Sequence, residues 1–469
     1  MSFASFEFLV FLAVAWPVFR VARRRPLPRL LWLLFISAVF YGAWKPWYLL
    51  LIGASTITQY LVGRAIGSTP DPGARKAWAL LGIAADLALL GTFKYGNWLA
   101  EGAEALLAAA GAPAALPRVP AELPVGISFY TFQTLSYTID VWRGRIPVER
   151  SLLRFAVYVF FFPQLVAGPI VRAADFLPQV QPGGWPALDR RSIGQGAFLI
   201  FAGLAKKMVL ADTLHAFVVG PWFRQPAGHG ALEALYALWA ANFQVYCDFS
   251  GYSDVACGAA LLFGHTLPQN FDRPFQSQSP MEHWRRWHIS LSTWLKDYLY
   301  LPLGGSRGSS LATDRNLVIT FTLGGIWHGA GLSYLMWGVY NGLLLVLWRR
   351  FGPGEARGPV GRALRRLATF HAICFGLVFL HADGPAAAFD ALACLGRPLQ
   401  APSASLAGPG LLAFAAAVLL HATPRGWKTA LMDAFADAPA WALALALLLG
   451  GGVLSLFSGL SAPFFYFQF

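Results

Sequence analysis

The chain has 469 residues, of which 57% are hydrophobic and only 13% are charged. A soluble globular domain carries roughly 25% charged residues, so this composition excludes a soluble protein and predicts a polytopic membrane protein. The formal net charge is +13, but the basic residues lie in short runs between apolar segments. That pattern indicates cytoplasmic loops rather than nucleic-acid binding, so no nucleic-acid partner is expected.

The start of the chain predicts its orientation in the membrane. No Lys or Arg precedes the first apolar segment, residues 3–20, whereas five arginines lie between positions 20 and 29. A cleaved secretory signal carries its positive charge in front, so this segment is predicted to be an uncleaved first helix. Basic loops favour the cytoplasmic side. We therefore expect an extracytoplasmic N-terminus and cytoplasmic loops at 20–29 and 349–366.

Apolar stretches predict helices along the whole chain, in an all-α fold that forms one integral-membrane domain. The predicted helices are 3–20, 30–44, 48–65, 78–93, 153–162, 193–210, 232–246, 251–263, 317–327, 332–348, 367–381, 411–422 and 440–457. Several are too short to cross about 30 Å of hydrocarbon, which predicts broken or re-entrant helices around a cavity. Within the domain we expect N-terminal helices at 1–123, a catalytic core at 124–342 and C-terminal helices at 343–469.

The central part of the chain places polar residues inside apolar runs. The segment 162–170 carries two prolines around a glycine, which predicts a helix break. The segment 247–254 brings Asp248 and Asp254 to a predicted junction between two helices. Intramembrane carboxylates rarely face lipid, because they pair or line a cavity. Two interpretations remain open: these residues cap helix ends and hold loops, or they take part directly in the chemistry.

Residues 282–300 are predicted to form one amphipathic helix. At 100° per residue, the apolar face holds Trp284, Trp287, His288, Leu291, Leu295 and Tyr298, and the opposite face holds Glu282, Arg285, Arg286, Lys296 and Asp297. Such a helix is typical of a membrane boundary. His288 is the exception on the apolar face, and a buried polar group needs a partner or a purpose. His288 is therefore a candidate catalytic or substrate-binding residue.

His328 is the second candidate, in the segment 324–331 with hydrophobic segments on both sides. A neutral imidazole can take a proton from a hydroxyl or thiol near pH 7. An ionisable residue within a membrane segment is a functional candidate, although a histidine satisfied by a backbone carbonyl is the structural alternative. The glycines around His328 allow another backbone, or a ligand, to approach closely.

The sequence lacks the residues that other reaction types need. His283 and His288 fall on different predicted helix faces, and the four cysteines form no CxxC pair, so no metal site is expected. Two carboxylates without a phosphate cradle do not suffice for phosphoryl transfer. Acid–base activation of a nucleophile that attacks an acyl group remains.

The ordered motifs resemble the membrane-bound O-acyltransferase family, in particular bacterial alginate O-acetyltransferases and teichoic-acid D-alanyl transfer proteins. The matching segments are 37–44, 93–95, 124–130 with 136–137, 162–169, 248–254, 270–271, 284–300, 324–331 and 463–469. The WRRWHISLS and GGIWHGA segments are the most specific. The resemblance implies a ring of about 11–13 helices with re-entrant segments around a central tunnel.

The resemblance also implies the site. His328 is expected to act as general base on the attacking hydroxyl or thiol, and His288 to hydrogen-bond the acyl carbonyl or a reacting group. The residues expected to contact substrate are Trp287, Trp327, Asp254 and Asn270. No cofactor is expected to be permanently bound, because the donor is acetyl-CoA or another acyl thioester.

The expected setting is the bacterial cytoplasmic (inner) membrane. The acyl group, expected to be acetyl, moves from the cytoplasmic donor toward an extracytoplasmic polysaccharide, with a secreted or membrane-anchored transferase as partner. Two other functions fit the residues. One is a membrane transport component in which the histidines relay protons, and the other is a non-catalytic scaffold that recruits a secreted transferase.

Overall fold

The structure, a computed structural model, describes residues 1–119, 123–166, 168–354, 356–399, 408–424, 426–460 and 462–465. The regular elements in these ranges are all helical, so the predicted all-α class is confirmed. The chain divides into two compact units, Met1–Asp189 with Ala259–Leu267, and Arg190–Gly258 with Pro268–Phe469. The predicted subdivision at residues 123 and 342, and the predicted ring and tunnel, stay predictions.

The first unit is a set of apolar helices joined by short loops. Its helices are α1 (Phe6–Ala22), α2 (Pro26–Gly42), α3 (Tyr48–Ser68), α4 (Pro72–Ala109), α5 (Ile127–Trp142), α6 (Leu152–Phe160), α7 (Phe162–Leu165) and α8 (Ala173–Val180). The predicted break at 162–170 is confirmed, because α7 ends after one turn at Leu165 and no helix is assigned to residues 168–170.

Helix α5 lies in the core of the first unit and is missing from the predicted helices. Some of its buried polar side chains form hydrogen bonds to neighbouring helices. Thr134 donates to Asp86 of α4 at 2.5 Å, and Thr138 donates to Gln59 of α3 at 2.5 Å. Ser55 of α3 also donates to Asp86, at 2.9 Å. Interhelical hydrogen bonds of this kind hold membrane helices together, so the polar residues that obscured α5 are the ones that fix it.

The second unit contains the predicted site residues. Its helices are α9 (Arg190–Leu204), α10 (Asp212–Leu214), α11 (Gly220–Arg224), α12 (Ala231–Leu262), α13 (Pro280–Arg286), α14 (Ile289–Leu295), α15 (Ser310–His328), α16 (Leu332–Phe351), α17 (Gly358–His381), α18 (Pro385–Ala393), α19 (Pro409–Ala422), α20 (Trp427–Asp437) and α21 (Ala440–Leu456). Among the described residues the unit also has π-helical segments and 3₁₀ turns. The π-helical segments are Ala205–Ala211, His215–Val219 and Lys296–Tyr300, and the 3₁₀ turns are Pro226–Gly228, Pro274–Gln276, Cys394–Gly396 and Ser458–Leu460.

Helix α12 corrects one prediction. The sequence predicts two helices that meet at residues 247–250, whereas the structure has one continuous helix, whose last residues belong to the first unit. Gly251 does not break it but lets α9 approach: a β-carbon there would lie 2.7 Å from the carbonyl oxygen of Gly203. Gly258 does the same against Gly196, at 2.5 Å. Small residues thus serve helix packing here, as is common in membranes.

Three helices are long and apolar enough to cross a membrane: α3, α4 and α17. Four shorter apolar helical segments accompany them among the described residues, at Pro26–Gly42, Pro385–Gly396, Pro409–Ala422 and Trp441–Leu456. Many large apolar side chains on α1 and α2 are exposed, Phe6 by 76% and Leu27 by 58%. An apolar surface of this extent fits lipid rather than water, so the predicted membrane protein is confirmed.

Candidate active site

The segment that carries His288 is broken at the histidine itself. Helix α13 ends at Arg286, Trp287 is extended, and His288 has φ 42° and ψ 56°, in the left-handed region. The predicted single amphipathic helix is therefore wrong, and so is the face calculation across it. A non-glycine residue in this region costs about 1–3 kcal/mol and persists only where neighbours hold it, most often at functional sites.

Asn270 holds this strained turn. Its backbone carbonyl accepts the N–H of Ile289 at 2.9 Å, and its side-chain Oδ1 accepts the N–H of Ser290 at 3.2 Å. The Ser290 hydroxyl donates to the same oxygen at 2.9 Å. On the other side, Asn270 Nδ2 donates to the hydroxyl of Ser253 at 3.3 Å. The loop before α13 thus fixes the backbone that follows His288.

The same oxygen determines which ring nitrogen of His288 carries the proton. His288 Nδ1 lies 3.2 Å from Asn270 Oδ1. A backbone N–H can only donate, so the bond from Ser290 identifies the facing Asn270 atom as its oxygen. An amide oxygen only accepts, so Nδ1 of His288 must be the donor. In the neutral ring the lone pair then lies on Nε2, the nitrogen that can receive a proton.

Aromatic rings enclose His288, which is 1% exposed. Phe249 of α12 lies edge-on to its ring at 4.7 Å between centroids, and Trp327 of α15 lies at 6.3 Å. Water has little access to such a site, so a proton on the imidazole is exchanged with a bound group rather than with bulk solvent.

His328 is the last residue of α15 and is also buried. Its ring lies 5.1 Å from that of Trp327 and 4.7 Å, edge-on, from that of Trp337 on α16. Both histidines therefore contact Trp327, and the two ring distances together bound their separation at about 11 Å. The two histidines thus lie near the same tryptophan ring, and their roles stay predictions.

The glycines around His328 bring α15 and α16 together. A β-carbon on Gly325 would lie 2.3 Å from the carbonyl oxygen of Tyr334, and one on Gly338 would lie 2.5 Å from that of Phe321. After His328, a β-carbon on Gly329 would meet the Tyr334 ring at 2.3 Å. The close approach that the sequence predicts is therefore made by protein backbone and a tyrosine ring, and it fixes the helical hairpin that carries His328.

A small cavity of about 20 Å³, enough for one water molecule, lies beside Trp337, whose ring contacts His328. Its walls include tryptophan, polar and aromatic side chains from several helices: Trp287, Trp337, His283, Asn242, Asn341 and Phe465. Trp287 thus lines a cavity, whereas the predicted contacts of Trp287 and Trp327 with substrate stay predictions.

Comparison with known proteins bears on what such a site does. The membrane-bound O-acyltransferase family model matches residues 144–353. The probable alginate O-acetylase AlgI of Pseudomonas aeruginosa is 40% identical over 386 residues, which cover 82% of this chain and 72% of that protein. A peptidoglycan O-acetyltransferase of Helicobacter pylori is 33% identical over 82% of this chain and 77% of its own length. A teichoic acid D-alanyltransferase of Bacillus subtilis is 26% identical over 54% and 67%.

This chain belongs to the membrane-bound O-acyltransferase family. It is therefore an acyltransferase embedded in a membrane. An acyltransferase needs an acyl donor and an acceptor, and the transport and scaffold alternatives lose their support. Within the described part of the chain, no group of three or more His, Cys, Asp or Glu side chains could hold a metal ion.

The two candidate carboxylates of this acyltransferase lie in ion pairs. Asp254 lies between Lys206 and Lys428, at 2.5 and 2.6 Å. Asp248 pairs with Lys207 at 2.8 Å. Both are inside α12, so the helix-capping interpretation is wrong for them. The lysines support a structural role for Asp254, and its predicted contact with substrate stays a prediction, as does that of Asn270.

Sequence reasoning missed four residues of the site: Ser290, Phe249, Trp337 and Phe465. On a continuous helix, Ser290 would lie 200° from His288, so the assumed helix placed them on opposite faces. Phe465 lies near the end of the chain, where Asp248 accepts its N–H at 2.8 Å. The family resemblance of segment 463–469 could have indicated that this part of the chain belongs to the site. Its residues 466–469 lie outside the described residues.

Proposed function

We propose that this acyltransferase moves an acetyl group from a cytoplasmic acyl thioester, acetyl-CoA, to an extracytoplasmic polysaccharide of a bacterium. The relatives with 33–41% identity act, by their names, on alginate or peptidoglycan, and both names specify O-acetylation. The D-alanyltransferases match over less of the chain at lower identity. These names support acetyl as the acyl group and alginate or a related polymer as the acceptor.

The observation that carries the proposal is the pair of buried histidines whose rings both lie close to that of Trp327. Attack on a thioester needs a group that removes the proton of the nucleophile and an environment that excludes water. Each histidine supplies a nitrogen that can accept a proton, and the surrounding rings keep the donor thioester from hydrolysis.

In the proposed reaction, His328 removes the proton from the attacking hydroxyl or thiol. The oxygen or sulfur then bonds to the acyl carbonyl carbon, and the electron pair of the C=O bond moves to oxygen. When this intermediate collapses, the C–S bond breaks and the donor leaves as a thiolate, which takes the proton from the His328 imidazolium. The acyl group is then on the acceptor and His328 is neutral again.

Asn270 restricts what His288 can do. With its proton on Nδ1, neutral His288 accepts a hydrogen bond at Nε2 and donates none there. We therefore assign His288 to an O–H or S–H of the reacting groups, which it orients toward His328. Stabilising a carbonyl oxyanion through Nε2 would require the protonated form of His288.

The wider setting follows the same proposal. The enzyme lies in the cytoplasmic membrane with its N-terminus outside, and a secreted or membrane-anchored transferase completes delivery to the polymer. The basic loops at 20–29 and 349–366 support this orientation, because cytoplasmic loops carry an excess of Lys and Arg. Labelling of a single cysteine at Ser2 from outside intact cells tests it, in a chain that lacks the four native cysteines.

Replacement of each histidine tests the proposed reaction. His328→Ala is expected to lower the rate of donor thioester loss by about 10²–10⁴-fold, and His288→Ala to lower it less. His371→Ala is the matched control, because this imidazole bonds the Trp239 indole at 3.1 Å, away from the site. Release of free CoA from acetyl-CoA is measured in membranes with equal amounts of folded protein, and polymer acetylation in complemented deletion cells.

The outcomes separate the possible functions. Loss of both activities in His328→Ala with a normal control supports the proposal. Normal CoA release and polymer acetylation in His328→Ala would contradict a catalytic His328 and favour a scaffold. Solute movement without any thioester cleavage by the native enzyme would favour a transport component. Arg286→Ala should lower the rate of CoA release less than His288→Ala does. The Arg286 side chain pairs with Glu282 at 2.5 Å and has no part in the proposed reaction.

A further inference from the structure

A second site, in the first unit, centres on Arg29 in the first turn of α2. Arg29 is 4% exposed, and its Nε and Nη2 atoms are buried without a hydrogen-bond partner among the described residues. No carboxylate in that part of the chain forms an ion pair with it. Guanidinium is always charged and offers five N–H donors. A buried charge without a counter-charge is strongly destabilising, so a missing anion is indicated.

The rings beside Arg29 do not replace an anion. The guanidinium carbon lies 3.5 Å from the centre of the Trp185 ring and 5.5 Å from that of Phe19. These cation–π contacts offset part of the cost of burial. The rings offer no lone pair to the N–H groups, which lie along the edge of the guanidinium plane. Nε and Nη2 on that edge are thus left to another group.

Gly264 leaves space at that edge. Its φ is +71°, and a β-carbon built on it would stand 3.6 Å from Arg29 Nη2 and 3.7 Å from the carbonyl oxygen of Pro186. Any side chain at this position would fill the space next to the guanidinium. The conformation and the space both favour glycine here.

The surroundings attract anions and lie beside lipid-facing surface. Arg23, Arg24 and Arg25 precede α2, and no acidic residue lies between positions 8 and 70. On the neighbouring turns, Val21 is 67% exposed and Leu27 is 58% exposed. A basic loop next to an apolar surface is typical of the cytoplasmic membrane boundary, where acidic headgroups collect.

We propose that Arg29 binds a phosphate group in the space beside Gly264. The planar guanidinium fork matches phosphate oxygens in a bidentate pair, which satisfies the buried donors and the charge together. The phosphate belongs either to the headgroup of an acidic phospholipid or to a soluble phosphate compound. This site is separate from the two histidines and does not depend on their proposed roles.

Binding to the purified full chain in neutral maltoside detergent tests the proposal. The probes are a short-chain phosphatidylglycerol and inorganic phosphate, each compared with sodium chloride at equal ionic strength. Calorimetric titration gives the affinity, and the thermal midpoint gives the stabilisation. Arg29→Met is expected to weaken probe binding by about tenfold to hundredfold, since charge-assisted hydrogen bonds are lost. Arg24→Met, the control, removes the same charge from an exposed position.

Each outcome decides the matter. Binding of both probes that requires Arg29 supports a phosphate site, and binding of the lipid alone assigns it to a headgroup. Equal affinity in Arg29→Met and the native chain, or an equal loss in Arg24→Met, would overturn the proposal. If Arg29→Met does not fold, Arg29→Lys keeps the charge without the planar fork, and unchanged phosphate affinity in that variant would overturn it as well.

Discussion

Asn270→Ala should disable His288 without touching its ring. Asn270 Oδ1 accepts three hydrogen bonds: from His288 Nδ1 at 3.2 Å, from Ser290 N–H at 3.2 Å and from the Ser290 hydroxyl at 2.9 Å. Alanine removes all three and leaves a buried N–H and a buried imidazole without this acceptor. The backbone carbonyl of Asn270 still accepts from Ile289, so the loop stays attached at one point.

The magnitude follows from these bonds. A net hydrogen bond contributes about 0.5–1.5 kcal/mol, and a buried donor left without a partner costs about 1–3 kcal/mol. The serine hydroxyl can rotate, and its oxygen lies 3.5 Å from His288 Nδ1, but the Ser290 N–H cannot move to another acceptor. We therefore expect the free energy of unfolding to fall by about 2–4 kcal/mol. A misplaced reacting group costs on the order of 10²-fold in rate, and the same loss is expected in acyl transfer.

Two further variants separate positioning from stability. Ser253→Ala removes the partner of Asn270 Nδ2 and leaves the bonds to His288 and Ser290, so it is the structural control. Asn270→Asp keeps an acceptor for both and should retain more activity than Asn270→Ala. A carboxylate also stabilises the protonated imidazole, so the acidic limb of the pH–rate profile should move to higher pH in Asn270→Asp.

CoA release at equal amounts of folded protein, from pH 5 to 9, measures these effects, with thermal unfolding in detergent for stability. A rate for Asn270→Ala within about threefold of the native enzyme would refute the assignment, because a positioning effect is far larger. The assignment would also be refuted if Asn270→Asp were as slow as Asn270→Ala and its pH–rate profile were unshifted. A loss in Ser253→Ala equal to that in Asn270→Ala would attribute the effect to folding alone.

Two other predictions concern the scaffold. Gly338→Ala should lower the free energy of unfolding by about 1–3 kcal/mol, since its β-carbon would overlap a carbonyl of α15. A β-carbon at Gly451 would meet open space, so Gly451→Ala should leave the free energy of unfolding unchanged. Equal thermal midpoints for Gly338→Ala and Gly451→Ala would contradict the prediction. Asp248→Ala should release the segment at Phe465, seen as faster limited proteolysis there, because its N–H loses its acceptor. Asp433→Ala, the control, removes a carboxylate that accepts from Gln195 and keeps the bond to Phe465, so equally fast cleavage in both variants would contradict the anchoring role.

The sequence predicted helices well where their residues are apolar. Helix α3 begins at residue 48 and α17 ends at residue 381, as the apolar runs indicate. The helix prediction was wrong where polar residues find their hydrogen-bond or ion-pair partners in distant parts of the chain. Helix α5 was missed because its partners lie on α3 and α4, and α12 was divided because its aspartates pair with lysines from positions 206, 207 and 428. Helical periodicity carries no information on such distant partners.

The sequence also predicted only part of the candidate site. His328 stands out because a histidine next to glycines inside an apolar region has few structural explanations. His288 was predicted to point inward, and it is buried, but the supporting periodicity was wrong. Its position depends on Asn270, 18 residues earlier, which holds a left-handed turn that interrupts the helix. Tertiary contact overrode the local pattern, so the periodicity could indicate the residue without indicating its geometry.

The pairing of charges explains why the histidines are the groups suited to move a proton. Asp248 and Asp254 each lie against lysine, so their negative charges are already engaged in ion pairs. In the proposed reaction an imidazole starts neutral, takes the proton of the nucleophile and gives it to the departing thiolate. His328 is fixed by a hairpin packed through glycine, and His288 by hydrogen bonds to Asn270. The two imidazoles near Trp327 are thus both suited to accept a proton and held in place by their surroundings.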